Sequence, residues 1–162
     1  GMPRAVKKKA PAARPETLFK ASDFSSYLAE KSALIAPADV ESVVARGAEL
    51  TAKAVGDADH HPLMLRQVDV ALQLLTDHDE GACPQIPYHT VALLAVAALY
   101  LLDPNDVIPD CLPDIGSSDD AIVLELAFEM GGAGIERYCT WKDIPIEGLF
   151  ARRSKPRARP KR

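Results

Sequence analysis

Apolar residues recur along the chain at spacings of three and four, which is the pattern of helices with one buried face. Leu65, Val68, Leu72 and Leu75 are the clearest example. Proline and glycine separate the periodic segments, because proline fits the first helical turn and both residues interrupt a helix elsewhere. The pattern predicts five helices, at about 23–35, 37–55, 62–78, 88–102 and 119–141.

The fourth segment differs from the others because it has no polar face. From Val91 to Leu102 the only polar side-chain group is the hydroxyl of Tyr100. A helix that crosses a membrane needs about 20 apolar residues, and a shorter run is more typical of a buried helix. We therefore predict that this segment is the central core helix of the domain.

The last segment contains three glycines but keeps one apolar phase. Its in-phase positions are Val123, Ala127, Met130, Gly134, Tyr138 and Trp141. Glycine inside a helix costs only about 1 kcal/mol relative to alanine. The pattern therefore predicts one continuous helix to about Trp141, with this face directed inward.

Composition supports an all-α fold. Aromatic residues make up 6% of the chain, while alanine and leucine are plentiful, and this balance favours helices over sheets. A chain of 162 residues is the usual size of one domain. We expect a single helical domain over residues 16–150, with basic tails at 1–15 and 151–162 that are disordered.

The net charge of −4 hides a strong asymmetry along the chain. The first tail carries +5 and the second +7, whereas residues 16–150 carry −16. Charge alone predicts weak, non-specific contact of the tails with polyanions or anionic lipids. The residues expected to make this contact are Lys7, Lys8, Lys9, Arg152, Arg153, Arg157 and Arg159.

The connection between the apolar helix and the last predicted helix carries a specific sequence signature. Its fixed positions are Pro104, Asp106, Ile108, Pro109, Asp110, Pro113, Gly116, Asp119 and Asp120. This order, P-x-D-x-I-P-D-x-x-P-x-x-G-x-x-D-D, resembles the YkvA-like family, and the similarity extends over about 68–142. The resemblance implies a helical domain of unknown function, found in bacterial proteins that are often labelled membrane-associated, and it implies no catalytic residues.

The same connection is rich in carboxylates and is the best candidate site. The candidate residues are Asp103, Asp106, Asp110, Asp114, Asp119 and Asp120. Aspartates beside prolines and at a helix start often serve as turn and cap residues, which is the first interpretation. Carboxylate oxygens are also the ligands of hard divalent cations, so a cation site is the alternative.

Other catalytic chemistry has little support. The chain lacks a phosphate-binding loop, a nucleophile elbow and a zinc-protease helix. The residues His78, Cys83 and His89 do not have the spacing of a zinc site. Three cysteines at wide spacings and the absence of a secretory signal predict an intracellular, cytoplasmic protein.

These observations predict a helical interaction or scaffold domain without catalytic activity, peripheral to a membrane at its inner face. Its expected contacts are the polyanions or anionic lipids at the tails and a protein partner. The alternative is a divalent-cation-binding domain, or a cation-dependent hydrolase, that uses the carboxylates of residues 103–120. No cofactor other than such a cation is expected.

Overall fold

The structure is a computed structural model that describes residues 21–83, 85–103 and 117–150. These residues form helices joined by turns and short connections, with no strand in the described ranges. The helices are α1 (Ala21–Ser32), α2 (Pro37–Ala45), α3 (Gly47–Asp57), α4 (Pro62–Asp79), α5 (Tyr88–Leu102), α6 (Ser117–Met130) and α7 (Gly132–Lys142).

Local sequence explains where several of these helices begin. Pro37 and Pro62 occupy the first turns of α2 and α4, where a missing N–H costs no hydrogen bond. The carboxylate of Asp39 accepts a hydrogen bond of 2.8 Å from the backbone N–H of Ala36, just before α2. α5 follows Pro87 directly. The predicted starts of α2, α4 and α5 are confirmed.

α5 is the centre of the domain and packs against each of the six other helices. Residues 91–98 are all buried, which is why this helix can dispense with a polar face. The prediction of a central core helix at 88–102 is confirmed. In the described part of the chain, no helix is both long enough and apolar enough to cross a membrane.

The all-α prediction is confirmed, but the predicted count of five helices is wrong, because two predicted helices are each divided in two. The second divides at Arg46 (φ −104°, ψ 25°) and the last at Gly131 (φ −96°, ψ 14°). Both residues leave the helical conformation for one position only. The apolar phase therefore continues across each break, so periodicity alone does not reveal that the helix is interrupted.

Two further details of the helical pattern differ from the prediction. α1 ends at Ser32 rather than near residue 35, and Leu34 in the following turn is 73% exposed. Trp141, predicted on the inward face, is 47% exposed in the last turn of α7. Tyr138 on the same helix is fully buried, as predicted.

α7 approaches α5 closely at Gly134. A Cβ atom placed on Gly134 would lie 2.2 Å from Thr90 Oγ1 and 2.9 Å from Thr90 Cβ. A side chain at residue 134 would force Thr90 or the two helices to shift. Glycine is therefore needed at residue 134 because it lets the two backbones pack together.

The segment after α7 is held against α4. Arg66 donates hydrogen bonds to the backbone carbonyls of Pro145 and Glu147, and the side chain of Gln67 donates to the carbonyl of Leu149 at 3.1 Å. Leu149 is fully buried, and the chain reaches the core here before it enters residues 151–162. The predicted tails at 1–15 and 151–162 lie outside the described residues.

Candidate functional site

The predicted carboxylate site is described only in part. Asp103 ends α5, and Asp119 and Asp120 lie in the first turn of α6. Asp106, Asp110 and Asp114 lie outside the described residues, as do the seven tail residues predicted to contact polyanions. The structure therefore shows the two ends of the carboxylate-rich connection.

At its first end, Asp103 is paired with Arg46, the residue between α2 and α3. The guanidinium donates to both carboxylate oxygens of Asp103, at 2.5 and 3.1 Å, and also to Glu49 at 2.8 and 2.9 Å. The hydrogen bonds from Arg46 hold the pKa of Asp103 below its usual value. Arg46 thus joins the end of the central helix to the start of α3.

At its second end, Asp119 and Asp120 are buried at the start of α6, with exposed fractions of 2% and 5%. A helix N-terminus favours carboxylates because its peptide dipoles present positive charge. Lys53 Nζ lies 3.7 Å from Asp120 Oδ2. Burial, together with the charges of Asp57 and Asp119, raises the pKa of Asp120 to about 7 despite the opposing charge of Lys53. Asp120 therefore titrates near neutrality.

The cations that face Asp103 and Asp120 lie far from them in the sequence. They were not predicted to belong to the site. Glu49 and Lys53 lie four residues apart on one side of α3, and Arg46 directly precedes this helix, three residues before Glu49. Leu50 and Ala54 on the same helix are buried in the core. The charged repeat was visible in the sequence, but its partners 57 and 67 residues further on were not.

No metal centre forms in the part of the chain that the structure describes. Nowhere in residues 21–83, 85–103 and 117–150 do three histidine, cysteine or acidic side chains come close enough to hold an ion. His78 instead packs against Tyr88, with ring centroids 5.9 Å apart. The described carboxylates Asp103 and Asp120 already face Arg46 and Lys53. The cation alternative gains no support from these contacts.

The two cysteines in the described ranges, Cys83 and Cys139, show no sign of nucleophilic chemistry. Cys139 is fully buried in the core, and burial raises the pKa of its thiol. Burial and the neighbouring Asp77 also raise the pKa of Cys83. Because the thiolate is the reactive form, both side chains are poor nucleophiles near neutral pH.

A second group of polar contacts joins α4 to α7. The carboxylate of Asp77 accepts hydrogen bonds from Tyr138 Oη at 2.6 Å and from Lys142 Nζ at 2.7 Å. Burial opposes ionisation of Asp77, but these two hydrogen bonds and the charge of Lys142 prevail and lower its pKa. This contact joins the last turn of α7 to the end of α4.

Several large apolar side chains of the described residues are exposed. The rings of Trp141 and Tyr138 lie 5.7 Å apart, and Tyr88 is 40% exposed beside His78. The Tyr88 hydroxyl donates to the carbonyl of Ile35 at 3.1 Å, next to the exposed Leu34. The exposure of Leu34 and Trp141 was not predicted from the sequence.

Comparison with known proteins places the carboxylate-rich connection inside a shared region. A family described as "Protein of unknown function (DUF1232)" matches residues 90–126, from the first turn of α5 into α6. The chain is also 30% identical over 90 residues to the "Uncharacterized membrane protein YkvA" of Bacillus subtilis (strain 168). That similarity covers 56% of the chain and 85% of the relative. No solved structure matches the chain.

Proposed function

Because the chain belongs to the YkvA-like family, whose Bacillus subtilis relative is named as a membrane protein, we propose that it is an interaction domain held at a membrane surface. The family is one of unknown function, and the described residues carry no catalytic constellation. The proposal concerns how the domain attaches, and it has three supports: the burial of α5, the charge of the tails and the absence of a spanning helix among the described residues.

The burial of α5 is the observation that carries the proposal. α5 is the most apolar helix of the described chain, and its residues 91–98 are buried against the other helices. Moving this helix into lipid would expose the apolar faces of all six neighbours to water, which burial of apolar surface opposes. Attachment to a membrane therefore proceeds from the surface of the folded domain.

The basic tails supply the attraction in this proposal. They carry +5 and +7, whereas the body between them carries −16 and repels anionic lipid by itself. Each lysine or arginine near an anionic membrane contributes about 1 kcal/mol, and the attraction decays within a Debye length of the surface. We expect attachment that is reversible and sensitive to salt.

The experiment is flotation of the full chain with vesicles of equal parts phosphatidylglycerol and phosphatidylcholine. The chain should float with these vesicles at low salt, and much less at high salt or with pure phosphatidylcholine. Substituting glutamine for Lys7, Lys8 and Lys9, and separately for Arg152, Arg153, Arg157 and Arg159, should weaken flotation in each case.

A matched control replaces basic residues of the body. Lys31 and Arg137 changed to glutamine should leave flotation nearly unchanged, because the tails provide the attraction. A full chain that does not float with anionic vesicles at low salt contradicts the proposed function.

A further inference from the structure

We propose that the second tail, residues 151–162, docks on the exposed face of α6 when no membrane is present, with its basic side chains against Glu125 and Glu129. The docking contact itself is a property of the chain alone. Its consequence rests on the proposed function, because a tail that lies on α6 is withheld from anionic lipid. α6 and the membrane therefore compete for the same basic residues.

The structure fixes the place where the second tail begins. Phe150, the last described residue, is 5% exposed, and its ring packs edge-to-face on Phe128 of α6 with centroids 5.9 Å apart. Leu149 is fully buried, and its carbonyl accepts a hydrogen bond from Gln67, which is buried on α4. Residue 151 therefore begins beside the last turn of α6.

α6 presents acid to solvent at this place. The helix contains four acidic residues and no lysine or arginine. The two aspartates of its first turn are buried, whereas Glu129 is exposed and Glu125 is partly exposed. Residues 125 and 129 share one side of the helix because they are four apart, and residue 125 is three before Phe128. The side chain that Phe150 contacts therefore borders the acidic face of α6.

The spacing of the bases in the tail matches the spacing of these acids. Every second residue of the tail is basic over one stretch, which comprises Arg153, Lys155, Arg157, Arg159 and Lys161. Pro156 and Pro160 favour an extended backbone at the residue before each, and residues two apart in an extended chain are separated by about 6–7 Å. Glu125 and Glu129 are separated by about 6 Å along the helix axis. Two successive basic side chains of an extended tail can therefore pair with both glutamates.

The charges around the start of the tail favour a basic segment. Glu147, three residues before Phe150, is exposed, and residues 16–150 carry −16 in total. Arg66 adds one positive charge here, but its guanidinium donates to the backbone carbonyls of Pro145 and Glu147 and so holds the segment that leads to the tail. The tail therefore leaves the core within a negative potential.

Docking of this kind is reversible. An exposed ion pair contributes little, because water and salt screen both charges. Two such pairs hold the tail on α6, whereas a surface with many anionic headgroups attracts all seven of its basic residues at once. The contact is therefore expected to reduce attachment to weakly anionic membranes more than to strongly anionic ones.

A zero-length crosslink measures the docking contact without lipid. A water-soluble carbodiimide joins a lysine amine to a carboxylate that it touches, and mass spectrometry of the full chain at low salt should find Lys155 joined to Glu125 or Glu129. Lys142 and Asp77, whose Nζ and Oδ2 atoms lie 2.7 Å apart, provide the positive control in the same sample. High salt should remove the link of Lys155.

Three results of the crosslinking overturn the inference and leave the proposed function standing. The first is a sample in which Lys142 is linked to Asp77 but Lys155 is linked to no acid of α6. The second is linkage of Lys155 to acids of the other helices as often as to those of α6. The third is linkage between two chains only, which a mixture of isotope-labelled and unlabelled chains detects.

Flotation tests the competition with the membrane. Glu125→Gln combined with Glu129→Gln should bind vesicles of equal parts phosphatidylglycerol and phosphatidylcholine about fivefold more tightly than a matched control, because two exposed ion pairs no longer hold the tail. The control is Glu41→Gln combined with Glu80→Gln, which changes the net charge equally at exposed residues of α2 and at the end of α4. Circular dichroism establishes that each variant is folded.

Equal binding by the two double variants overturns the competition. A parent chain that does not float contradicts the proposed function and the competition with it, whereas the crosslink still decides whether the tail docks on α6.

Discussion

Replacing Gly134 with alanine tests the packing of α7 on the central helix. The added methyl carbon would lie 2.2 Å from Thr90 Oγ1 and 2.9 Å from Thr90 Cβ. Rotating the threonine removes the first clash but not the second, because the Cβ position is fixed by the backbone. The two helices must therefore move apart.

The expected loss of stability combines two opposing effects. Overpacking a close contact costs about 1–3 kcal/mol, and alanine recovers up to about 1 kcal/mol of helix propensity. We expect Gly134→Ala to lower the free energy of unfolding by about 1–2 kcal/mol. For a chain of this size this corresponds to a melting temperature about 3–6 °C lower.

Gly56→Ala is the matched control. A Cβ atom on Gly56 in α3 meets nothing within 4 Å, so alanine adds propensity without a clash. This variant should be more stable than the parent by about 0.5–1 kcal/mol. The two substitutions should therefore change the free energy of unfolding in opposite directions.

The clash itself can be measured with Thr90→Ala, which removes two of the three crowding atoms. Gly134→Ala should cost less in that background than in the parent, with a coupling of at least about 0.5 kcal/mol. Urea unfolding followed by circular dichroism gives all four free energies. A Gly134→Ala variant as stable as Gly56→Ala, or a coupling of zero, would refute the close contact of α5 and α7.

Three further predictions concern the charged groups. Because the pKa of Asp120 is raised, the folded protein keeps a proton that the unfolded chain loses above about pH 4. The free energy of unfolding of the parent should therefore fall as the pH rises from about 4 to 7. Asp120→Asn should flatten this fall in urea titrations across pH, and an unchanged slope would contradict the burial of this acid. Tyr138→Phe should cost about 1 kcal/mol and raise the pKa of Asp77 toward its unfolded value, so that less stability is lost on acidification below about pH 4; a carboxyl NMR titration measures that pKa. Arg46→Lys should lower the melting temperature, since an ammonium cannot form the two parallel bonds to Asp103, and calorimetry that shows no change would mean that this pair contributes nothing.

Much of the fold could be predicted from the sequence because proline and apolar periodicity act locally. Pro62 and Tyr88 begin α4 and α5 as expected. The breaks at Arg46 and Gly131 could not be predicted from periodicity, since a one-residue departure from the helix preserves the apolar phase. Val43 and Leu50, seven residues apart across the first break, are both buried.

The site was less predictable because its contacts join distant parts of the chain. The pairing of Arg46 with Asp103, and of Lys53 with Asp120, is a product of helix packing that no local pattern encodes. The outward position of Trp141 has a similar origin. α7 starts anew after Gly131, and its last turn extends past the core that buries Tyr138.

The central claim is that the domain attaches to a membrane from its surface, with its apolar helix buried in protein. Membranes from cells that produce the full chain can be washed with high salt, with alkaline carbonate or with detergent. The account predicts that salt or carbonate releases the chain into the supernatant in folded or recoverable form. Retention in the membrane pellet through both washes, with release only by detergent, would contradict it.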